Sequence, residues 1–507
     1  MPAGSTWIDQ DRPAMAQRQS PGHHRAPMPH RLTKSLLLSY LQCPRKLWLE
    51  VRHPERAVPD AARLARFETG NQVGGIARDL YGAAAVRSGA NVEFETRYVH
   101  DNVLVRADVI ERPGLFGGGG TGIRLIEVKA SSGVKQQHLA DCAIQACTMA
   151  GAGDPAQVVA VAHIDSAFTY SGGGNYRGLL KEADVTARVL PLAERVPKWA
   201  RSAQDVLGSD AEPPIAVGTH CFSPRPCPFI AHCWPKAEYP LTSLPNLRAK
   251  LNDYVARGYR DVRDVPEGEI ESADALRVWR VTREGRAEVG PGLGEQLRAL
   301  AYPRFYLDFE TIGPCVPIWP GTKPNQAIPY QWSIHVERAP GAVLEHLEHL
   351  DLSGDLPARG VAQSLVRALA DAGPVITYSA YERQCLRILA ALVPEVAAQL
   401  QAIEARIFDL LPLMRRDYYH PAMRGSWSIK VVLPTIVPQM RYDRLGEVRD
   451  GEAASRAWLQ AIRLGKGGAD IDRREAIRGA LLTYCAFDTE AMARIVRALQ
   501  PGRAPLL

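Results

Sequence analysis

The segment FYLDFETIG, which begins at residue 305, places two carboxylates on one face at the end of an apolar strand. Alternate residues of a β-strand point to opposite faces, so Asp308 and Glu310 share one side and the neighbouring Phe and Leu side chains share the other. Two adjacent carboxylates repel each other unless a cation holds them. Because Mg²⁺ and Mn²⁺ prefer such oxygen ligands, the pattern predicts a divalent metal site built on a strand.

Further acids with the same potential role follow along the chain. In YCAFD, Tyr484 and Asp488 are spaced i and i+4 and lie on one face of a long helix predicted over 473–499. Glu382 follows the buried strand of VITYSAYERQ at a helix start, and Asp409 in RIFDLL is an alternative to it. Two metal ions about 4 Å apart, held by such converging acids, can activate water and stabilise a leaving oxygen in phosphodiester hydrolysis.

These motifs resemble those of the DnaQ-like, or DEDD, exonucleases of the ribonuclease-H-like fold. That family has Asp-x-Glu on its first strand, an acid in mid-domain and Tyr-x-x-x-Asp on a late helix. The resemblance implies that Asp308, Glu310 and Asp488 bind Mg²⁺ or Mn²⁺ and that Tyr484 orients the attacking water. The middle acid is usually Asp in that family, so Glu382 is a departure from the pattern.

Residues near these motifs are candidates for contact with nucleic acid. Lys430 in SWSIK could contact a phosphate. Aromatic side chains can stack on unpaired bases, although they fill a protein core more often. The aromatic candidates are Trp319, Tyr330, Trp332 and Tyr381.

A second set of chemically reactive residues lies in the first half of the chain. Asp108 lies in the strand pattern VLVRADVIE, and Glu127 and Lys129 share a face of the next strand, IRLIEVKAS. This spacing resembles the core of PD-(D/E)xK nucleases. The resemblance implies that Asp108 and Glu127 hold Mg²⁺ or Mn²⁺ with the scissile phosphate, while Lys129 positions a hydroxide or neutralises developing charge. The alternative for Glu-x-Lys is an exposed ion pair.

The helix after this motif resembles the RecB-type branch of those nucleases. HLADCAIQA places Asp141 and Gln145 on one face, towards the site, but Met149 stands where the branch has Tyr. The branch also commonly carries a metal-binding His on its first helices. FETGNQVGGIARDLY lacks it, which leaves Glu68 or Gln72 as substitutes.

The nine cysteines point to metal binding more than to disulfides, because their number is odd and the chain is long. Cys43 precedes the first motif set, and Cys221, Cys227 and Cys233 follow it. This arrangement resembles the iron–sulphur RecB-type nucleases, including the CRISPR adaptation nuclease. It implies a 4Fe-4S cluster that pins the N-terminal helix to a later segment, with zinc as the alternative. The remaining cysteines fall in apolar patterns and are predicted to be core residues: Cys142, Cys147, Cys315, Cys385 and Cys485.

The two resemblances together imply an α/β protein with a PD-(D/E)xK restriction-endonuclease-like domain and a ribonuclease-H-like domain. The segment LTKSLLLSYLQCPRKLWLE predicts one helix, and 191–208 another. Over roughly residues 32–499 the chain looks like a little-characterised bacterial family with a C-terminal domain of unknown function. The predicted divisions are a disordered tail over 1–30, the first nuclease domain over 31–235, a helical connector over 236–300 and the exonuclease-like domain over 301–500.

Charge and composition narrow the function further. Residues 1–52 carry eight Lys/Arg and three Asp/Glu, so most of the net charge of +6 lies there and a uniformly basic nucleic-acid binder is not indicated. No apolar run is long enough for a membrane span, and we expect a cytoplasmic protein. The leading hypothesis is a metal-dependent nuclease whose partner is nucleic acid, DNA more than RNA. The alternative is a non-catalytic nucleic-acid-binding or assembly subunit.

Overall fold

The computed structural model describes residues 30–59, 62–89, 91–112, 122–247, 250–464 and 469–500. The tail predicted over 1–30 therefore lies, up to residue 29, outside the described residues. Within them the chain is a mixed α/β protein with two large sheets, each combining parallel and antiparallel pairs.

The first sheet is built from the N-terminal half of the chain. Its strands are β1 (Leu32–Thr33), β2 (Asn91–His100), β3 (Val103–Arg112), β4 (Arg124–Lys129), β5 (Val158–Ile164) and β6 (Leu180–Asp184). The accompanying helices are α1 (Lys34–Gln42), α2 (Pro44–Arg52), α3 (Ala62–Ser88), α4 (Gln136–Gly151), α5 (Thr186–Ala193), α6 (Val196–Gly208) and α7 (Ile230–Cys233).

The order of this sheet is β1-β3-β4-β5-β6, with β2 also paired to β3. Strands β2, β3 and β4 are antiparallel neighbours, and β5 runs parallel to β4 after the crossover through α4. The apolar residues of α4 pack on one face of the sheet, and α3 covers the other face through Ala77 and Tyr81. The helix predicted over 191–208 is interrupted, because α5 ends at Ala193 and α6 begins at Val196.

The first predicted helix is also two helices, α1 and α2, which meet at Cys43. Thr33 caps the N-terminus of α1, where its side chain accepts a hydrogen bond from Leu36 N at 3.3 Å. Cys43 is extended, with φ −166° and ψ 122°. The physical reason is Pro44, whose ring disfavours helical backbone at the preceding residue but suits the first position of α2. The break leaves Cys43 between the two helices.

The segment over 236–300, predicted to be mostly helical, has short helices separated by turns. Its helices are α8 (Leu251–Ala256), α9 (Ala273–Glu284) and α10 (Leu293–Arg298), and its strand is β7 (Glu288–Val289). Buried apolar residues of these helices belong to the same core cluster as Tyr306 and Tyr484 of the second unit. The segment therefore packs as part of the second unit.

The second large sheet is built from the C-terminal half. Its strands are β8 (Arg304–Ile312), β9 (Ile328–Glu337), β10 (Glu345–Leu350), β11 (Val375–Thr377) and β12 (Ile407–Asp409), and β13 (Tyr418–Tyr419) pairs separately with β7. The helices are α11 (Ala358–Ala368), α12 (Tyr381–Leu392), α13 (Ala397–Ala405), α14 (Leu410–Asp417), α15 (Ile429–Ile436), α16 (Gly451–Arg463) and α17 (Ala469–Ala498).

The order of the second sheet is β10-β9-β8-β11-β12, with β8 at the centre. Strands β10, β9 and β8 are antiparallel neighbours, whereas β11 and β12 run parallel to β8. Phe305, Leu307 and Phe309 face the core cluster formed with α11 and α12. Because residues alternate along β8, its acids face the other side, where α17 packs.

The loop over 313–327, which leaves β8 after its acids, packs against the first unit. Val316 is buried in a cluster with Val73 and Ile164. Tyr170 N donates to Thr322 O at 3.0 Å, which adds a backbone link between the two units. The segment between β8 and β9 therefore joins the second unit to the first.

The helices were also compared with the dimensions of a bilayer. Within the described ranges, no helix taken singly combines the length and apolarity that a membrane crossing needs. The consecutive segments Tyr381–Leu392 and Pro394–Ala405, bent by 119°, meet those criteria only as a pair.

Candidate functional site

Four carboxylates from three separate segments line one cleft of about 540 Å³ in the second unit. Asp308 and Glu310 come from β8, Glu382 from the first turn of α12, and Asp488 from α17. All four were predicted from the sequence as candidate site residues, although they span 180 positions of the chain. The fold brings them together because α12 starts beside β8 and α17 crosses its face.

The helical spacing on α17 also matches the prediction. Tyr484 lies one turn before Asp488 and lines the same cleft. Tyr484 is 4% exposed, and its side chain hydrogen-bonds to Asp488. Burial, followed by the charge of Asp488, raises the pKa of Tyr484 far above its usual range. The phenol therefore stays protonated and can donate a hydrogen bond.

The pKa values of the four acids are raised by burial and, for all but Asp488, also by the charges of their neighbours. Burial and the neighbouring charge of Asp488 raise the pKa values of Asp308 and Glu310. Burial raises the pKa of Glu382 to about 7 and that of Asp488 to about 6. Such shifts mean that ionising the whole cluster costs free energy that a bound cation would offset.

The raised pKa of Glu382 sets the sign of a pH effect on stability. A carboxyl group that binds its proton more tightly when folded stabilises the fold at pH 4, and this contribution is lost as the pH rises towards 7. In EDTA, we expect the melting temperature of Glu382→Gln, relative to the unmodified chain, to rise between pH 5 and 8. Thermal unfolding monitored by circular dichroism measures the difference. A melting-temperature difference that does not change with pH would contradict this expectation. Mg²⁺ should reduce the difference between the two proteins at pH 8.

Two side chains that the motif analysis did not assign to metal binding position the acids. The Tyr442 hydroxyl donates a short hydrogen bond to Asp488 Oδ1. The ammonium of Lys430 lies 5.4 Å from the ring centroid of Tyr442 and 5.1 Å from that of Tyr484. The charge of Lys430 partly offsets the rise in the pKa values of Glu310 and Asp488. Its ammonium donates a hydrogen bond of 2.8 Å to Arg449 O, and its remaining N–H groups can meet an anionic group in the cleft.

The hydrogen bond from Tyr442 leads to a second prediction. A hydrogen bond to a carboxylate that ligates metal fixes its orientation, and its loss typically costs about 10–100-fold in metal affinity or activity. We expect Tyr442→Phe to weaken Mn²⁺ binding by about 10-fold, as measured by calorimetric titration. Tyr378→Phe is the matched control, because Tyr378 lines the same cleft and its buried hydroxyl has no hydrogen-bond partner among the described residues. Equal effects of the two variants would contradict the role of Tyr442.

The atoms that could hold a cation are close together. Ligand atoms of Asp308, Glu310 and Cys485 all lie within 4.8 Å of one another. Burial raises the pKa of the Cys485 thiol well above its usual range, so the thiol stays neutral. Hard divalent ions prefer carboxylate oxygen to a neutral thiol. The two carboxylates are therefore the donors that fit Mg²⁺ or Mn²⁺.

The alternative middle acid, Asp409, has another position. Its side chain accepts a hydrogen bond from Leu411 N at 2.9 Å and so caps the N-terminus of α14. It does not contribute to the lining of the acidic cleft, whereas Glu382 does. The structure therefore favours Glu382 as the middle acid.

Most of the aromatic candidates for base stacking are core residues. Tyr330 stacks on Trp458 with ring centroids 4.9 Å apart, and Trp332 and Trp319 are also buried. Their partners lie inside the fold, so the base-stacking interpretation is wrong for these three. Tyr381 is 37% exposed, and it shares a hydrogen bond of 2.6 Å with the Thr311 hydroxyl.

The lining of the cleft also contains basic side chains. Arg415 and Lys430 line it together with the segment 425–429. Cations and acids in one cleft suit an anionic group such as a phosphate that is held together with a metal ion.

The acids of the first unit also converge, but they are paired with lysines. Lys129 Nζ lies 2.5 Å from Glu127 Oε1 and 2.6 Å from Asp141 Oδ2. Lys34, which sequence reasoning missed, lies 3.1 Å from Glu127 and 2.8 Å from Asp141. Although burial alone would raise the pKa of Glu127, the two lysines outweigh it and hold that pKa below the usual range. Burial and Glu127 raise the pKa of Asp108 to about 7.

Gln145 belongs to this cluster, as the sequence predicted. Its side-chain nitrogen donates to Glu127 Oε2 at 2.6 Å and to Asp141 Oδ1 at 3.1 Å. Met149 is buried in the core, one turn further along α4. Glu68 and Gln72 are exposed on α3, so the structure gives no support to either as a substitute for the missing His.

The four cysteines predicted to bind metal line one small cavity, together with Arg45 and Lys46. Cys43 comes from the break between α1 and α2, and the other three from the segment around α7: Cys221, Cys227 and Cys233. Burial raises the pKa values of those three thiols, that of Cys233 to about 11. The nearby cations favour the charged form of sulphur when a metal replaces the thiol protons.

The distances among the sulphur atoms of the cavity can be compared with those that a single zinc ion requires. Zinc with a Zn–S distance of about 2.3 Å holds its four sulphurs roughly 3.8 Å apart. Among the described residues, groups of three or more potential ligand atoms within 4.8 Å are Glu212–His232–Cys233 and Asp308–Glu310–Cys485, so no three of the cavity thiols come that close. Glu212 is already paired with Arg45.

The other cysteines were predicted to be core residues. Cys142, Cys385 and Cys485 are buried, as predicted, while Cys147 and Cys315 are half-buried. The Cys315 thiol lies 3.4 Å from Ala130 O, at the contact between the two units.

Comparison with known proteins adds one similarity. A family model described as a domain of unknown function (DUF2779) matches residues 305–428. The matched region includes β8 with its two acids and the first turn of α12, but it ends before α17. No match to the chain was found among curated proteins.

Proposed function

We propose that this protein is a divalent-metal-dependent nuclease that hydrolyses phosphodiester bonds in the acidic cleft of its second unit. The observation that carries the proposal is the convergence of Asp308, Glu310, Glu382 and Asp488 on one open cleft. Hydrolysis by one or two Mg²⁺ or Mn²⁺ ions needs several carboxylates from different elements, an accessible volume and a positioned water.

The strand order supports a ribonuclease-H-like arrangement for this unit. Three antiparallel strands followed by two strands parallel to the first, in the order β10-β9-β8-β11-β12, place the first strand at the centre. The Asp-x-Glu of that strand then faces the last helix, as the resemblance to DEDD exonucleases implies. We extend the proposal to 3′–5′ exonuclease action on DNA.

The side chains would act in distinct ways on a bound strand. When bound, the metal ions supply Lewis-acid activation of water and stabilisation of the leaving oxygen. Tyr484 holds its proton and can orient the attacking water by hydrogen bonding. Lys430 and Arg415, which also line the cleft, can neutralise the phosphate. Tyr442 keeps the Asp488 carboxylate in one orientation.

The test is cleavage of 5′-labelled single-stranded DNA and RNA by the full chain, purified without oxygen. We expect stepwise shortening from the 3′ end that requires Mg²⁺ or Mn²⁺ and stops in EDTA. Tight binding without cleavage in both metals would overturn the proposal and establish the alternative, a non-catalytic nucleic-acid-binding subunit. The departure of Glu382 from the usual Asp is the observation that favours this alternative.

We also propose a 4Fe-4S cluster on Cys43, Cys221, Cys227 and Cys233. The donor set fits, because four thiols from two distant segments line one cavity with cations beside it. The cluster would tie the α1–α2 break to the segment around α7, and its role would be structural.

A PD-(D/E)xK-like arrangement of the first unit is supported by the order β2-β3-β4-β5 with α4 between β4 and β5. The free cysteines suit the reducing cytoplasm, where we place the protein.

A further inference from the structure

Lys34 makes the acidic centre of the first unit different from that of the second unit, because its ammonium lies among the acids of the first. It is the first residue of α1, directly after Thr33, which pairs with Leu104 in the parallel contact of β1 with β3. Its backbone is therefore fixed by the sheet that carries Asp108. The Lys34 side chain is 20% exposed, and its ammonium points inward to Glu127.

The ammonium of Lys34 completes a set of donors around two carboxylates. Glu127 Oε1 pairs with the ammonium groups of Lys34 and Lys129, and Glu127 Oε2 accepts a hydrogen bond from Gln145. Asp141 Oδ1 pairs with Lys34 and accepts a hydrogen bond from Gln145, and Asp141 Oδ2 pairs with Lys129. Each of the four oxygens has a donor, and two ammonium groups balance the two carboxylates.

The third acid of the first unit is also engaged. Asp108 Oδ2 accepts a hydrogen bond of 2.8 Å from Val128 N. A divalent cation bridging Asp108 and Glu127 would have to displace the Lys34 ammonium from Glu127 or lie beside it against charge repulsion. The donors present therefore do not fit the metal ion that a PD-(D/E)xK resemblance implies.

The cleft of the second unit is the opposite case. None of its acids, Asp308, Glu310, Glu382 or Asp488, has a Lys or Arg nitrogen within 4.0 Å in the described part of the chain. Repulsion among those acids calls for an external cation, whereas the first unit supplies its own.

We propose that Lys34 is an internal cation that occupies the place of a divalent metal, so that the centre formed by Asp108, Glu127 and Asp141 is metal-free in the resting protein. The first unit then holds its β4–α4 junction together by ion pairs instead of by a metal ion. This inference concerns a different cluster from the proposed catalytic cleft and does not depend on its activity.

The test uses the full chain, purified anaerobically, with Asp308→Asn and Asp488→Asn to silence the second cleft. Free Mn²⁺ is followed by electron paramagnetic resonance during titration. We expect no Mn²⁺ binding in this background up to the highest concentration titrated, whereas adding Lys34→Met should create a site that binds at least about 10-fold more tightly than that limit, a change of about 1.4 kcal/mol. Adding Asp108→Asn to Lys34→Met should abolish the new site.

Lys34→Arg is the matched control, because it keeps the charge and should gain no Mn²⁺ site. Circular dichroism verifies that each variant is folded. A Mn²⁺ site already present in the silenced background and lost on Asp108→Asn would overturn the proposal. So would a folded Lys34→Met variant that binds no Mn²⁺. If Lys34→Met does not fold, the titration of the silenced background, with and without Asp108→Asn, decides the question alone.

Discussion

Asp308→Asn is expected to reduce Mg²⁺-dependent cleavage of single-stranded DNA by about 10³-fold, because a metal ion supplies several kcal/mol of transition-state stabilisation. The same change should raise the melting temperature in EDTA. Asp308 is half-buried beside Asp488, Glu310 and Glu382, and desolvation and those charges raise its pKa. Because Asn has no proton to bind or release, the variant avoids the free-energy cost that the raised pKa imposes on the metal-free protein at neutral pH. Release of labelled nucleotides and thermal unfolding measure the two effects.

Opposite signs for activity and stability distinguish a metal ligand from a residue that merely supports the fold. Asp409→Asn is the matched control, since Asn caps a helix about as well as Asp and Asp409 lies outside the lining of the cleft. It should leave cleavage within about two-fold of the unmodified chain. Loss of activity in Asp409→Asn, with Asp308→Asn remaining active, would reassign the site.

The second large effect is expected at the cysteine cavity. Cys227→Ala should remove the absorption at about 400 nm and the bound iron, because a 4Fe-4S cluster needs its thiolate ligands. We expect the melting temperature to fall by about 10 °C, as follows when several kcal/mol of metal binding no longer stabilise the folded state. Iron and sulphide assays, a visible spectrum and thermal unfolding measure these changes.

Cys147→Ala is the control for the loss of a thiol. Cys147 is half-buried on α4 and does not line the cavity of Cys43 and its partners. This variant should keep its iron and its colour. A colourless unmodified protein with one equivalent of zinc would contradict the iron–sulphur assignment and leave the four-thiol site itself intact.

The acids of the second cleft could be predicted from sequence because each lies in a short local pattern. Asp308 and Glu310 end an apolar strand, and Tyr484 precedes Asp488 by one helical turn. Such patterns report which side of an element a residue occupies. Convergence then follows from the packing of α17 across β8.

The residues that were missed have no local pattern. Lys34 lies 93 positions before its partner Glu127, and Tyr442 lies 46 positions before Asp488. Only the three-dimensional arrangement of β1 beside β3, and of 442–444 beside α17, creates these contacts. The buried positions of Tyr330 and Trp332 also depend on tertiary packing, since an aromatic residue near a motif looks the same whether it faces solvent or the core.

The break between α1 and α2 at Cys43 was not predicted either, but in this case a local feature of the sequence indicates it. Pro44 follows Cys43 directly, and a proline disfavours helical backbone at the residue before it. Apolar periodicity continued through the break and concealed it. The break is also what allows Cys43 to reach the cavity of the later cysteines.

The loop that leaves β8 has a consequence for how this polypeptide can be divided. Val316 finds its apolar neighbours, Val73 and Ile164, on the other unit. A fragment beginning near residue 301 would expose that apolar contact surface to water, next to the strand that bears Asp308 and Glu310. Either half expressed alone would therefore have an apolar surface exposed to water, which favours aggregation. Biochemical experiments should use the intact chain.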